Sequence, residues 1–208
     1  MKWINKIAYN RNIRNETPNK ELAKELADTN NREGIREISE YLYDKNKSIS
    51  SDCLSVLYTI GYSEPNLIQD YIDDFLKLLE SKNNRMVWGS MIALSTIAQL
   101  KSDYLFAKMN LIFQTMKKGT LITEVWGIKT VVNLSIVNRE YKNKLLPVLF
   151  DYLEKCRPID FATRIETILP VIESPSENEI LDRILEIKSA ELSDSGLLPY
   201  KSDFLIDC

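Results

Sequence analysis

Apolar residues in this chain recur at spacings of three and four, and the pattern itself returns every 37 residues. Ile72, Phe75, Leu76 and Leu79 form one stripe. Met109, Ile112, Phe113 and Met116 form the next, and Leu146, Leu149, Phe150 and Leu153 a third. One period upstream the positions hold Ile35, Ile38, Ser39 and Leu42, so fifteen of these sixteen are apolar. A looser copy, Leu181, Ile184 and Leu185, follows 35 residues after the third stripe. Spacing of three and four marks an amphipathic helix. A fixed period of this length marks stacked units, because one short helical unit cannot bury its apolar face alone.

A second helix precedes each stripe. The clearest pair is 84–98 and 123–137, which share the tripeptide Val-Trp-Gly at Val87-Trp88-Gly89 and Val125-Trp126-Gly127. Segments 52–61 and 162–172 occupy the matching places. The unit is therefore a helical hairpin. The pairs are expected at 18–28 with 31–43, 50–62 with 65–80, 84–100 with 102–117, 121–137 with 140–155, and 159–172 with 176–191. Thr17 before Pro18 reads as an N-cap followed by an N1 proline. Asn30 with Glu33, and Ser176 with Glu179, read as capping boxes. Gly61, Gly119 and the Ser63-Glu64-Pro65 stretch read as punctuation between helices.

Tandem hairpins of this period, without strand signals, resemble the HEAT or HEAT-like repeats of the armadillo superfamily. Ankyrin repeats require a Thr-Pro-Leu-His box, and tetratricopeptide repeats a 34-residue period with a different motif. The expected fold is all-α: a right-handed α-α superhelix, or solenoid, of about five HEAT-like hairpins over 18–191. An N-terminal cap at 1–17, with Trp3, Ile4 and Ile7 on one face, precedes it. A C-terminal cap or tail at 192–208 follows. The resemblance implies that first helices line the convex side and second helices the concave side.

Composition narrows the chemistry. The chain has 208 residues, no histidine and a net charge of −3. Histidine-based triads, histidine general bases and HExxH zinc sites are excluded. No calcium-loop spacing or glycine-rich phosphate loop occurs, so neither cofactor nor metal is expected. Cys53, Cys156 and Cys208 lie far apart and make no disulfide framework; reduced thiols point to the cytoplasm. The N-terminus lacks the apolar core of a secretory signal, and no apolar run reaches the roughly 18 residues of a membrane span. Residues 101–156 are the basic part, with nine basic and five acidic residues. Lys108, Lys117, Lys118, Lys129, Arg139, Lys142, Lys144 and Lys155 lie there. They read as a solvated face, with an acidic-partner or nucleic-acid patch as the alternative.

A solenoid offers a long surface suited to extended ligands rather than to small-molecule chemistry. The expected function is a non-enzymatic scaffold binding a macromolecular partner, a protein, on its concave face. The binding positions are two rows on the second helices, Asp73, Asn110 and Pro147, and Lys77, Gln114 and Asp151. Recurrence of Trp88 and Trp126 at one repeat position predicts buried packing; a platform for a base or a partner peptide is the alternative. Gly89 and Gly127 then allow close helix approach. A second reading comes from bacterial HEAT-like DNA glycosylases that remove alkylated bases, which this chain resembles in size and repeat type. That resemblance implies a nucleic-acid site at Arg85, Trp88, Glu124, Trp126 and Arg164. Arg157 beside Cys156 is expected to lower the thiol's pKa, but with no histidine nearby catalysis is not expected.

Overall fold

The computed structural model describes residues 2–194. Among them every regular element is helical. The first hairpin is α1 (Thr17–Asp28) with α2 (Arg32–Glu40), and the second is α3 (Lys47–Ser63) with α4 (Ile72–Leu78). The third pairs α5 (Asn84–Ile97) with a second arm split into α6 (Ser102–Phe106) and α7 (Met109–Lys118). The fourth is α8 (Leu121–Val137) with α9 (Arg139–Lys155), and the fifth α10 (Phe161–Ile168) with α11 (Pro175–Asp194). The periodicity thus located all five hairpins. The expected helix over 65–80 opens instead with two 3₁₀ turns, Pro65–Leu67 and Gln69–Tyr71. The proposed C-terminal cap or tail lies, beyond Asp194, outside the described residues.

Burial follows the period. Ile38, Phe75, Ile112 and Leu149 occupy one repeat position and are all 0% exposed. Ile35, Ile72, Met109 and Leu146, at another, are all buried. Of the fifteen apolar stripe residues, only Phe113 and Met116 are left half-exposed.

First helices pack directly on one another: α1 on α3, α3 on α5, α5 on α8. The Asn133 amide of α8 also donates to the Ser95 carbonyl of α5 at 2.8 Å. Second helices rest on the first helices, α2 on α3, α4 on α5 and α7 on α8. Neighbouring second arms are tied by tyrosine hydroxyls. Tyr43 donates to Asp74 at 2.9 Å, Tyr104 to Asp73 at 2.5 Å, and Tyr141 to Asp103 at 2.6 Å. Bonding to these carboxylates raises the Tyr104 and Tyr141 pKa values.

Small residues set the approach of helices. A Cβ on Gly89 would stand 2.7 Å from Leu54 Cδ2, and one on Gly127 would strike Met116. Gly61 does not end a helix as expected; it lies inside α3, where a Cβ would meet Thr96 and Ile68. Gly119 does follow α7, in extended rather than left-handed backbone.

The caps fall near their expected places but in shifted register. Thr17 makes no cap; Asn15 Oδ1 accepts from the Thr17 N–H instead. Asn31 rather than Asn30 caps α2, accepting from Gly34 N–H at 2.8 Å. Asn30 adopts φ 48°, which reverses the chain after α1. The last capping box is Ser174 with Glu177. The Glu177 carboxylate accepts from the Glu173 and Ser174 N–H groups, and Ser174 Oγ accepts from Glu177 N–H. Periodicity alone does not distinguish one polar residue from its neighbour as the cap.

At the N-terminal end Ile4 and Ile7 are buried and Trp3 packs on the core. The segment forms one 3₁₀ turn, Trp3–Lys6. Its Ile4, Ala8 and Tyr9 N–H groups donate to Glu37, Asn19 and Asp52.

Candidate functional site

The six second-helix positions, Asp73, Lys77, Asn110, Gln114, Pro147 and Asp151, are all exposed, each beside a buried stripe. Several are already engaged. Asp73 accepts from Tyr104, Lys77 sits 4.8 Å over the Tyr43 ring, and Asp151 pairs with Lys155 at 2.5 Å. Pro147 lies within α9 on its exposed side.

Part of the basic middle is neutralised from within. Lys142 is buried and pairs with Glu173 at 2.8 Å and Glu177 at 3.1 Å. Lys144 pairs with Glu140, and Lys155 with Asp151. Lys108 lies 5.9 Å over the Tyr104 ring and Lys129 4.0 Å over the Trp126 ring. Each internal ion pair removes charge that a polyanion would otherwise meet.

Trp88 and Trp126 are half-buried, not enclosed. They join two tyrosines of α3 in a strip of four rings. Trp88 lies 6.2 Å from Tyr58, Tyr58 6.2 Å from Tyr62, and Tyr62 5.8 Å from Trp126. Tyr58 is buried beneath the strip, and Tyr62 is 54% exposed at its centre. Burial holds the Tyr62 hydroxyl up at about 12. Tyr58 and Tyr62 carry no repeat signature, so their part in the strip was not visible in the sequence. Trp88→Ala is expected to cost about 1.5–2.5 kcal/mol, roughly half the value for an enclosed tryptophan, as read by urea unfolding; a cost above about 3 kcal/mol would return Trp88 to the core.

The five residues of the nucleic-acid alternative divide between two places. Trp126 faces the aromatic strip. Glu124, two residues earlier and so about 200° around the helix, lines a groove of 240 Å³ on the other side of α8. Arg164 of α10 approaches Glu124 there at 3.9 Å. Arg85 is exposed at the start of α5.

Cys156 is buried, and burial raises its pKa rather than Arg157 lowering it; Arg157 is committed to Asp160 at 2.7 Å. Cys53 is enclosed and likewise raised. Among the described residues no cluster of metal-ligand type occurs, and no helix is long and apolar enough to cross a membrane.

No protein-family model matches the chain. It is 31% identical over 130 residues to an uncharacterized protein of Methanocaldococcus jannaschii, a match covering 61% of this chain and 58% of that protein. The chain thus spans less than two thirds of that relative. Among solved structures, a designed armadillo repeat protein in complex with the peptide (KR)4 superposes with a TM-score of 0.58 at 12% identity. That match covers 84% of this chain and 78% of the other. An engineered protein superposes with a TM-score of 0.59 at 13% identity, covering 92% and 89%. With its hairpins, its buried repeat positions and these superpositions, the chain has the fold of an armadillo-type helical repeat solenoid.

Proposed function

We propose that this chain is a non-enzymatic scaffold that binds an extended peptide segment of a protein partner along its first-helix layer. The observation that carries this reading is the contact between Tyr62 of α3 and Trp126 of α8 at 5.8 Å. The intervening α5 packs on both α3 and α8. Helices packed at about 8–10 Å place the outer two about 16–20 Å apart in a flat layer. Rings from alternate hairpins meet over the middle one where the layer bends inward. On this reading the first helices line the inside of the bend, where the family resemblance implies the second helices. A half-exposed aromatic strip there offers flat apolar area at low entropic cost, the property that makes Trp and Tyr recurrent anchors in interfaces. The peptide complex of the designed armadillo protein supports such use of this architecture.

The rows Asp73–Asn110–Pro147 and Lys77–Gln114–Asp151 are the competing surface, and one experiment separates the two. Peptides selected by display against the full chain are expected to lose at least about tenfold in affinity with Tyr62→Ala. They are expected to keep their affinity with Lys77→Glu and Asp151→Lys combined. The opposite pattern moves the site to the second helices. Submicromolar binding of duplex DNA at about 150 mM salt, with a steep salt slope, would favour the nucleic-acid alternative instead.

A further inference from the structure

We infer that the groove beneath α8 is the seat of a segment of this same chain, the apolar triplet Phe204-Leu205-Ile206, which lies outside the described residues. The inference is independent of the aromatic strip, which lies on the opposite side of α8. Phe113, Met116, Ile128, Val148 and Tyr152 supply the apolar walls of the groove. Phe113 and Met116 are the two apolar stripe residues that the repeat leaves half-exposed. Their equivalents in the units on either side, Leu76 and Leu79, and Phe150 and Leu153, are all buried. The third unit thus lacks cover that its neighbours have. The lining charges balance, Lys117 and Lys155 against Glu124 and Asp151, so the groove selects for apolar area and not for charge. Its 240 Å³ falls below the roughly 300–1,000 Å³ of sites that enclose a small-molecule ligand. It has room for side chains of a passing segment.

What singles out this occupant is where α11 delivers the chain. Near its start Glu177 pairs with Lys142 of α9 at 3.1 Å. From there α11 packs on α9 and on the 3₁₀ turn Pro158–Asp160 beyond the end of α9. The two helices therefore run side by side in one direction. Lys142 to Cys156 is fourteen residues, and so is Glu177 to Glu191. With the same rise per residue in both helices, Glu191 stands beside Cys156. The Cys156 thiol, raised chiefly by burial, accordingly feels the charges of Lys188 and Glu191. Cys156 is itself part of the groove lining, so the chain leaves α11 at Asp194, three residues past the edge of the groove. Ile159, at 65% the most exposed large apolar residue among those described, sits in the turn at that edge. Reach then selects among the apolar residues that follow. Leu197 and Leu198 come three and four residues after Asp194, about 10–14 Å of extended chain. That is little more than one helix spacing of about 8–10 Å, enough to cover Ile159 but not to cross α9. Phe204 comes ten residues after Asp194, up to about 33–36 Å, and crosses the end of α9 with slack. A triplet tethered at this distance faces the groove at an effective concentration in the millimolar range. Any other apolar segment must displace it first.

The test uses the full chain with Phe204 replaced by p-benzoylphenylalanine, whose excited ketone inserts into nearby C–H bonds. The expected product of irradiation is a cross-link within one chain to Met116 or its groove neighbours, located by mass spectrometry. Cross-links only to residues outside the groove lining would overturn the assignment and make the segment a cap elsewhere. Cross-links that join two chains would overturn it in favour of a second copy. A second measurement needs no probe. Phe204→Asp is expected to speed oxidation of Met116 by dilute hydrogen peroxide at least about threefold, because uncovering the thioether admits the oxidant. Met91, 0% exposed, is expected to stay protected in the same sample, which reports an intact fold. An unchanged Met116 rate with Met91 still protected would overturn the proposal. If Met91 loses protection as well, the cross-link decides alone.

Discussion

Phe75→Ala is expected to lower the stability of the chain by about 3–5 kcal/mol, the range for truncating an enclosed phenylalanine. Phe75 is 0% exposed and occupies the repeat position shared with Ile38, Ile112 and Leu149. It is the largest of the four, and it sits on α4, a short helix preceded by 3₁₀ turns rather than by regular helix. Little local helix remains to compensate for a cavity there, since helical segments this short draw their stability from packing. In a solenoid each unit is supported mainly by its neighbours. The loss is therefore expected to broaden the unfolding transition as well as shift it, with the second hairpin opening before the fourth. Urea titration followed by far-UV circular dichroism reads the first effect, and hydrogen exchange resolved by hairpin reads the second. A loss below about 1 kcal/mol would mean that the stripe at 72–79 is not a core element.

The stability of the fifth hairpin is expected to fall as pH drops from about 5 to about 2. Burial alone would raise the Glu177 carboxyl, but the Glu173 and Ser174 N–H groups and the Lys142 ammonium override it and hold its pKa down at about 2. A folded pKa below the unfolded one means that the charged form favours the native state. The contribution is complete above the ordinary carboxylate value, and protonation removes it on the way down. Each unit of pKa is worth about 1.4 kcal/mol, and Glu177 retains some solvent contact at 17% exposure, so the contribution is about 2–3 kcal/mol. Glu177→Gln removes the charge at all pH values. The expected result is a wild-type advantage of that size at pH 7 that vanishes near pH 2. An advantage that is constant with pH would show that the capping geometry acts without the charge. Glu177 also joins the cap of α11 to Lys142 on α9, so the same substitution is expected to loosen the last hairpin from the fourth.

The repeat was legible because its cause is local. A helix that buries one face must place apolar residues three and four apart, and stacking copies of that helix forces the same spacing at one period. This is why Ile38, Phe75, Ile112 and Leu149 are identifiable as a set from their spacing alone, and why most helix boundaries fell within a few residues of those expected, the late start of α4 at Ile72 excepted. Caps were legible only approximately. Asn30 and Asn31, or Ser174 and Ser176, differ in backbone angle rather than in chemistry, and that angle depends on how the preceding helix ends.

The candidate sites were much less legible. Val-Trp-Gly at 87–89 and 125–127 marks two helices as equivalent, yet equivalence does not tell which partner each side chain meets. Gly89 faces Leu54 of a first helix, whereas Gly127 faces Met116 of a second helix. Tyr58 and Tyr62 entered the aromatic strip because the Tyr62 ring of α3 reaches the Trp126 ring of α8, two hairpins on. The Glu124 and Trp126 side chains parted because two residues of helix turn them to opposite sides.

What the sequence determined by itself, then, is the unit: its length, its two helices, its buried face and its number of copies. Which side chains meet across hairpins was decided only in the tertiary structure. Those meetings depend on the spacing of the helices, and each spacing is set by side chains and glycines from units far apart in the chain. The same sum over distant contacts left Phe113 and Met116 half-exposed while their equivalents one period away are buried. No period in the sequence records that difference.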